Sequence, residues 1–169
     1  MKTLIALLII AGAATVHAQY RHDGSYALPN ARLTPGAANP ALIADPSGKP
    51  HMVDGHEANL CAKDFRTGPW RKVSESEKKK ACAEYGLTKC PDAKTIELDH
   101  LVSLEIGGSD ALANLWPEPQ PQARLKDHAL EDRLPKLVCS GRISIKAAQS
   151  CISGDWAACM AKVKALEAK

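Results

Sequence analysis

The sequence predicts a small α+β domain that is mainly helical, contains one β-hairpin followed by a helix, and is stabilised by disulfides. The hairpin is indicated by a strand-like run over residues 96–104, the turn-forming pair Gly107–Gly108, and a short returning strand at Leu115 and Trp116. Apolar residues at helical spacing follow the hairpin, and six cysteines are spread along the same part of the chain.

The N-terminus has the pattern of a secretory signal peptide over residues 1–18. Lys2 precedes an apolar run over residues 4–11, which is too short to span a bilayer, and a small-residue cleavage site ends at Ala18. Cleavage there removes one lysine and lowers the formal charge from +3 to about +2. We therefore expect a secreted or periplasmic protein that is monomeric and has no membrane segment in its mature form.

Two regions follow the signal peptide. Residues 19–57 are rich in Pro, Gly, Ala and Asn and lack a sustained apolar period, which predicts an extended or partly disordered arm. Residues 58–169 predict the compact domain, long enough for one small core and too short for two.

The cysteines favour disulfides over structural zinc. An even number in an exported chain is typical of a disulfide framework, and the Cys-x-x-Cys pairs of zinc knuckles are missing from the sequence. The pairing stays open at this point. The cysteines are Cys61, Cys82, Cys90, Cys139, Cys151 and Cys159.

The first predicted helix begins after Ser74. Glu77 stands three residues later as the partner of a capping box, and Gly86 follows Tyr85 as a stop signal. Basic residues gather on and before this helix, which is consistent either with an ordinary solvated face or with a surface that neutralises phosphates. They are Arg66, Arg71, Lys72, Lys78, Lys79 and Lys80.

Helices also follow the hairpin. Prolines at 117, 119 and 121 require an extended chain, and a helix is predicted over residues 122–134. Leu130, Leu134 and Leu137 recur at the helical period as its buried face, and Pro135 should kink or end the helix near Leu134. Two last helices are predicted, one capped by Ser144 and one that begins at Trp156. The large apolar ring of Trp156 predicts that this residue anchors the core.

The adjacent pair Asp99 and His100 is the strongest functional signal. A carboxylate and an imidazole in an apolar strand need partners, because burying either group alone costs several kcal/mol. A divalent metal ion is one such partner. In a regular strand the two side chains point to opposite faces, so a shared site requires a twist, a bulge or the end of the ladder at this pair.

The order and spacing of these residues resemble the HNH endonucleases over residues 96–156. The motif consists of Glu97, Asp99, His100, Gly107–Gly108 and Asn114–Leu115. The resemblance implies a ββα finger, two strands and a helix around one cation. It implies Mg²⁺ ahead of Mn²⁺, Ca²⁺ or Zn²⁺ as that cation.

The resemblance also implies roles for individual residues. His100 would be the general base, and Asn114 would bind the metal or orient His100. Asp99 and Asp127 would be further metal ligands, while Lys126 and Arg124 would contact substrate. The pair Lys126–Asp127 stands where many members end the motif with a histidine, so the full ligand set stays open. By helical phase, the neighbouring His128 should lie on the surface.

The expected function is that of an exported, metal-dependent HNH endonuclease that hydrolyses phosphodiester bonds of nucleic acid, with DNA expected ahead of RNA and the choice between them left open. Two alternatives stay open. The first is a non-catalytic secreted binding module, braced by disulfides, on the same scaffold. The second is a toxin delivered to competitors, which shares the chemistry and would have an immunity protein as its partner.

Overall fold

The fold is a small α+β arrangement of short hairpins and helices, seen in a computed structural model that describes residues 21–23, 26–92 and 94–168. In this part of the chain the strands form antiparallel pairs: β1 (Arg21–Asp23) with β2 (Tyr26–Leu28), β3 (Met52–Val53) with β4 (His56–Glu57), and β5 (Ile96–His100) with β6 (Leu115–Pro119). The helices are α1 (Glu75–Glu84), α2 (Gln120–Lys126), α3 (Leu134–Cys139), α4 (Ile145–Gly154) and α5 (Trp156–Glu167). The predicted α+β class is therefore confirmed, whereas the predicted signal peptide lies outside the described residues.

The central hairpin is shorter than predicted. Strand β5 ends at His100 rather than at residue 104, because Leu104–Ile106 forms a 3-10 turn. The predicted reversal at Gly107–Gly108 is confirmed: Gly107 has a φ of 80°. A Cβ on Gly108 would lie 1.8 Å from the carbonyl oxygen of Val102, so only glycine allows the chain to approach this closely.

Helix α1 has the local signals that the sequence predicts. The Ser74 hydroxyl accepts the backbone N–H of Glu77, and the Glu77 carboxylate accepts the backbone N–H of Ser74. This reciprocal capping box satisfies two N–H groups that the first turn leaves without helical partners. Gly86 adopts a φ of 75° directly after the helix, as expected for a glycine stop.

The helix after the hairpin begins at Gln120, earlier than predicted, because Pro121 fits in the first turn, where its missing N–H is not needed. It continues into one π-helical turn over Asp127–Glu131. The chain then restarts as α3, with Pro135 in the first turn of the new helix. The break near Leu134 is therefore confirmed.

The main core lies between β2, the turn after β5 and the helices from α2 onward. Trp156 is fully buried there, as predicted, and so are the three leucines of the predicted apolar face. The core residues include Leu28, Val102, Ile106, Leu130, Leu134, Leu137, Val138, Ile152, Trp156 and Val163.

Three disulfides brace the domain and confirm the preference for disulfides over zinc. Cys61–Cys139 links the segment before α1 to the end of α3, across 78 residues. Cys82–Cys90 ties the end of α1 to the loop that follows, and Cys151–Cys159 ties α4 to α5.

Residues 26–57 of the predicted arm contain short strands and turns and pack against the domain. Leu28 and Leu42 are buried, and the backbone N–H of Asn39 donates to the carbonyl of Gly107. Ala27 exchanges two hydrogen bonds with the Gln122 side chain on α2. Among the described residues, no helix combines the length and apolar character that spanning a bilayer would require.

Candidate active site

The two faces of the β5–β6 hairpin carry different chemistry. Asp99 pairs with Trp116 and His100 with Leu115 in a regular antiparallel register, and the ladder ends at His100. Both residues are regularly paired, so the end of the ladder at His100 does not supply the irregularity that a shared site at this pair requires. The side chains of Asp99 and His100 still lie on opposite faces, because successive residues of a strand alternate.

His100 is held by an acid that the sequence analysis did not single out. Its Nε2 atom lies 2.7 Å from Oδ1 of Asp110, and the histidine is 4 % exposed. Oδ2 of Asp110 accepts the backbone N–H of Lys72 at 2.5 Å. The imidazole is therefore fixed from one side by a carboxylate that is itself anchored to the segment before α1.

A cleft of about 360 Å³ opens beside His100, between the hairpin and the start of α1. Its lining combines an apolar floor with two cationic side chains and the imidazole. The lining residues are Arg71, Val73, Lys78, Leu98, His100 and Leu115. The arrangement brings a base and two groups that attract phosphate to one small space.

Asn114 is a structural residue of the loop that joins the two strands. Its side chain is fully buried, and Oδ1 accepts the backbone N–H groups of Val102 and Ala37. Its Nδ2 donates to the carbonyls of Val102 and Ser109. Both amide hydrogens and both acceptor positions are therefore used by backbone groups, which leaves none for a metal ion or for the His100 ring.

Lys126 occupies the face opposite His100. It is 0 % exposed, and its Nζ lies 2.5 Å from Asp99 Oδ2 and 2.5 Å from Glu131 Oε1. A third carboxyl group, that of Glu118, lies 3.7 Å away, and Nζ also donates to the carbonyl of His100 at 3.4 Å. The predicted substrate contact by Lys126 is therefore corrected, because its ammonium is inaccessible and already surrounded by oxygen atoms.

The pKa values in this cluster diverge. Burial raises the pKa of Glu118 well above its usual range, and burial raises the pKa of Glu131 to about 8, in both cases against the attraction of Lys126 and with the charge of Asp99 adding to the rise. Burial also opposes ionisation of Asp99, but the Lys126 ammonium and a hydrogen bond from Glu118 lower its pKa overall. At neutral pH the buried charge is thus mainly one ammonium paired with one carboxylate.

The remaining predicted site residues lie around the helix. Asp127 is half-buried at the end of α2, and burial raises its pKa, with the charge of Asp99 reinforcing the rise. Arg124 is exposed and donates from Nε to the Gln120 side chain. His128 is exposed at its side chain by 81 %, as predicted.

The predicted metal ligands do not fit a cation as they are arranged. Asp99 is neutralised by Lys126, and the Asn114 amide is fully used by the loop. Within the described part of the chain, no three His, Cys, Asp or Glu side chains are grouped so that they could hold a metal ion. A resident cation at Asp99, Asn114 and Asp127 therefore stays a prediction that this geometry does not support.

Comparison of the chain with protein-family models, with curated proteins and with solved structures finds no match.

Three important side chains were missed by the sequence reasoning: Asp110, Glu118 and Glu131. Asp110 lies in a loop, where no periodicity indicates which way a side chain points. Glu118 stands between two prolines in a strand, and it shares the face of Asp99 through the β5–β6 register, which the sequence alone does not define.

Proposed function

We propose that the protein hydrolyses phosphodiester bonds of nucleic acid, with His100 as the general base and Asp110 as the residue that positions it. The observation that carries this proposal is the 2.7 Å contact between His100 and Asp110 at the edge of a cleft lined by Arg71 and Lys78. DNA is the expected substrate ahead of RNA, and the exported location predicted from the sequence is part of the proposal.

The role of each group follows from its chemistry. As a carboxylate Asp110 can only accept, so it holds the proton of His100 on Nε2 and leaves the lone pair on Nδ1. Among the described residues the imidazole has no other hydrogen-bond partner. The free nitrogen can take a proton from a water molecule as that water attacks phosphorus, while the Arg71 and Lys78 charges stabilise the negative phosphoryl oxygens.

The test is cleavage of plasmid DNA and of labelled oligonucleotides by the oxidised protein. His100→Ala should lower the rate by about 10²–10⁴, the usual contribution of a general base, and Asp110→Asn should lower it by a similar order because the acid no longer fixes the tautomer. His128→Ala, an exposed histidine on the helix, is the matched control and should keep wild-type activity. Equal rates for the His100 and His128 variants would refute the proposal.

The predicted cation is tested in the same assay. Cleavage that is lost in chelator and restored by Mg²⁺ would support a metal ion bound elsewhere than the Lys126 cluster or together with the substrate. Cleavage that persists in chelator would assign the charge stabilisation to the protein's own cations.

A non-catalytic binding module is the second candidate. It is favoured by the structural use of Asp99 and Asn114, both of which the nuclease interpretation assigns to chemistry. Nucleic-acid binding without cleavage, unchanged in His100→Ala, would support this candidate instead.

A further inference from the structure

A second cleft lies next to the first and extends it along α1. It has a volume of about 440 Å³ and is bounded by α1, strand β5 and the loop after α1. Its lining combines three lysines, one acid and the apolar side chains of Ile96 and Leu98. Lys78 and Leu98 line both clefts, so the two clefts adjoin beside strand β5, and together they are called the groove below.

The groove is positively charged along its rim. Lys78, Lys79 and Lys89 face a single acid, Glu75, whose carboxylate lies 2.6 Å from Lys78 Nζ. Ile96 and Leu98 form an apolar floor between these charges. A lining of this kind suits a ligand with regularly spaced negative charges and flat apolar parts.

The far side of the groove is fixed covalently. The Cys82–Cys90 disulfide joins the buried face of α1 to the loop that carries Lys89, and the backbone N–H of Leu87 donates to the carbonyl of Cys82. Lys89 therefore lies next to a residue that is covalently linked to α1.

We propose that this groove binds the backbone of one nucleic-acid strand beside the bond that lies at His100, with Lys78, Lys79 and Lys89 neutralising consecutive phosphates. This inference rests on the proposed function for its direction, because His100 marks where the scissile bond lies. A single strand is the occupant because positively charged grooves that bind single-stranded nucleic acid follow one sugar-phosphate backbone. Binding should be independent of base sequence and sensitive to salt.

The helix itself provides a matched control. Lys79 and Lys80 are adjacent, exposed and equal in charge, but only Lys79 lines the groove. If the lysine run were merely a solvated face, the two residues would be equivalent.

The experiment measures the fluorescence anisotropy of a labelled single-stranded oligonucleotide of about twelve nucleotides. The protein carries His100→Ala to prevent cleavage. If that variant does not fold, Asp110→Asn is used in its place. At about 50 mM salt, the Lys79→Ala/Lys89→Ala pair should weaken binding by about tenfold or more, and should lower the slope of log K against log salt by roughly 0.7 per lost phosphate contact. Lys80→Ala should change binding by less than about twofold. Glu75→Gln should tighten binding, because it removes the negative charge beside Lys78.

Equal losses for the groove pair and for Lys80→Ala would overturn the inference, and so would tighter binding of a duplex than of the single strand. The outcome is separable from that of the proposed function. If the wild type binds the strand through the groove but does not cleave it, the binding groove is supported and the proposed hydrolase activity is refuted. If cleavage depends on His100 but not on Lys79 and Lys89, the hydrolase activity is supported and the binding groove is refuted.

Discussion

Among the described residues, Lys126 is the only lysine within salt-bridge distance of Asp99, Glu118 and Glu131. Replacing it by Met removes this ammonium and keeps most of the side-chain volume. In the wild type its Nζ contacts Asp99 and Glu131 at 2.5 Å each. Without it, Asp99 would be ionised in a buried environment with no counter-charge. We therefore expect a large loss of stability at neutral pH.

The magnitude follows from the cost of neutralising Asp99. An aspartate has an ordinary pKa of 3.8, and the variant must protonate Asp99 on folding at pH 7. At about 1.4 kcal/mol for each pH unit between these values, the penalty is about 4 kcal/mol. This agrees with the roughly 3–5 kcal/mol that breaking a buried ion pair costs in other proteins.

The assay is urea unfolding of the wild type and the variant from about pH 4.5 to pH 8. The free-energy deficit of Lys126→Met should shrink as the pH falls, because the unfolded state then also protonates its carboxyl groups. Adding Asp99→Asn should recover part of the lost stability, since the double variant buries no uncompensated charge. Lys136→Met, an exposed lysine on α3, is the matched control and should cost less than about 1 kcal/mol. A deficit below about 1 kcal/mol at pH 7, or one that does not change with pH, would refute the reasoning.

Three further outcomes test other parts of the site. Asn114→Ala should cost about 3–5 kcal/mol in urea unfolding, because it breaks four hydrogen bonds and leaves buried backbone groups without partners; a loss below about 1 kcal/mol would argue against a structural role. Gly108→Ala should prevent folding or cost several kcal/mol, because the new Cβ would meet Val102 at 1.8 Å, whereas Gly68→Ala, with no atom within 4 Å, should fold normally by circular dichroism. Glu131 has a pKa of about 8 in the folded protein against an ordinary 4.5, so its contribution to stability is present below pH 4.5 and is lost as the pH rises through about 8. Glu131→Gln should flatten this decline of the unfolding free energy with pH. An unchanged pH profile would contradict the raised pKa of Glu131.

Local sequence signals predicted the elements whose determinants lie close together in the chain. Ser74 and Glu77 define the start of α1 by themselves, and Gly107–Gly108 is needed where the chain folds back against Val102. Helical spacing likewise identified Leu130 and Leu134 as core residues, because burial on one face of a helix follows directly from its period.

The partners of polar residues could not be predicted in the same way. The sequence shows that Asp99 and His100 point to opposite faces of the strand. It does not show which element covers each face of the hairpin. From the sequence, the Lys126 side chain could point to substrate or to the core. Its direction depends on three carboxyl groups contributed by β5, β6 and the π-helical turn. Those groups converge only in the folded chain.

His100 has contacts on both faces of the hairpin. Its peptide carbonyl accepts a hydrogen bond from Lys126, while the ring of the same residue borders the opposite cleft. Loss or displacement of the Lys126 ammonium can therefore shift the backbone of His100 and, with it, the imidazole. If the protein is the hydrolase proposed above, a Lys126 variant should therefore cleave more slowly, although the lysine lies on the face opposite the cleft.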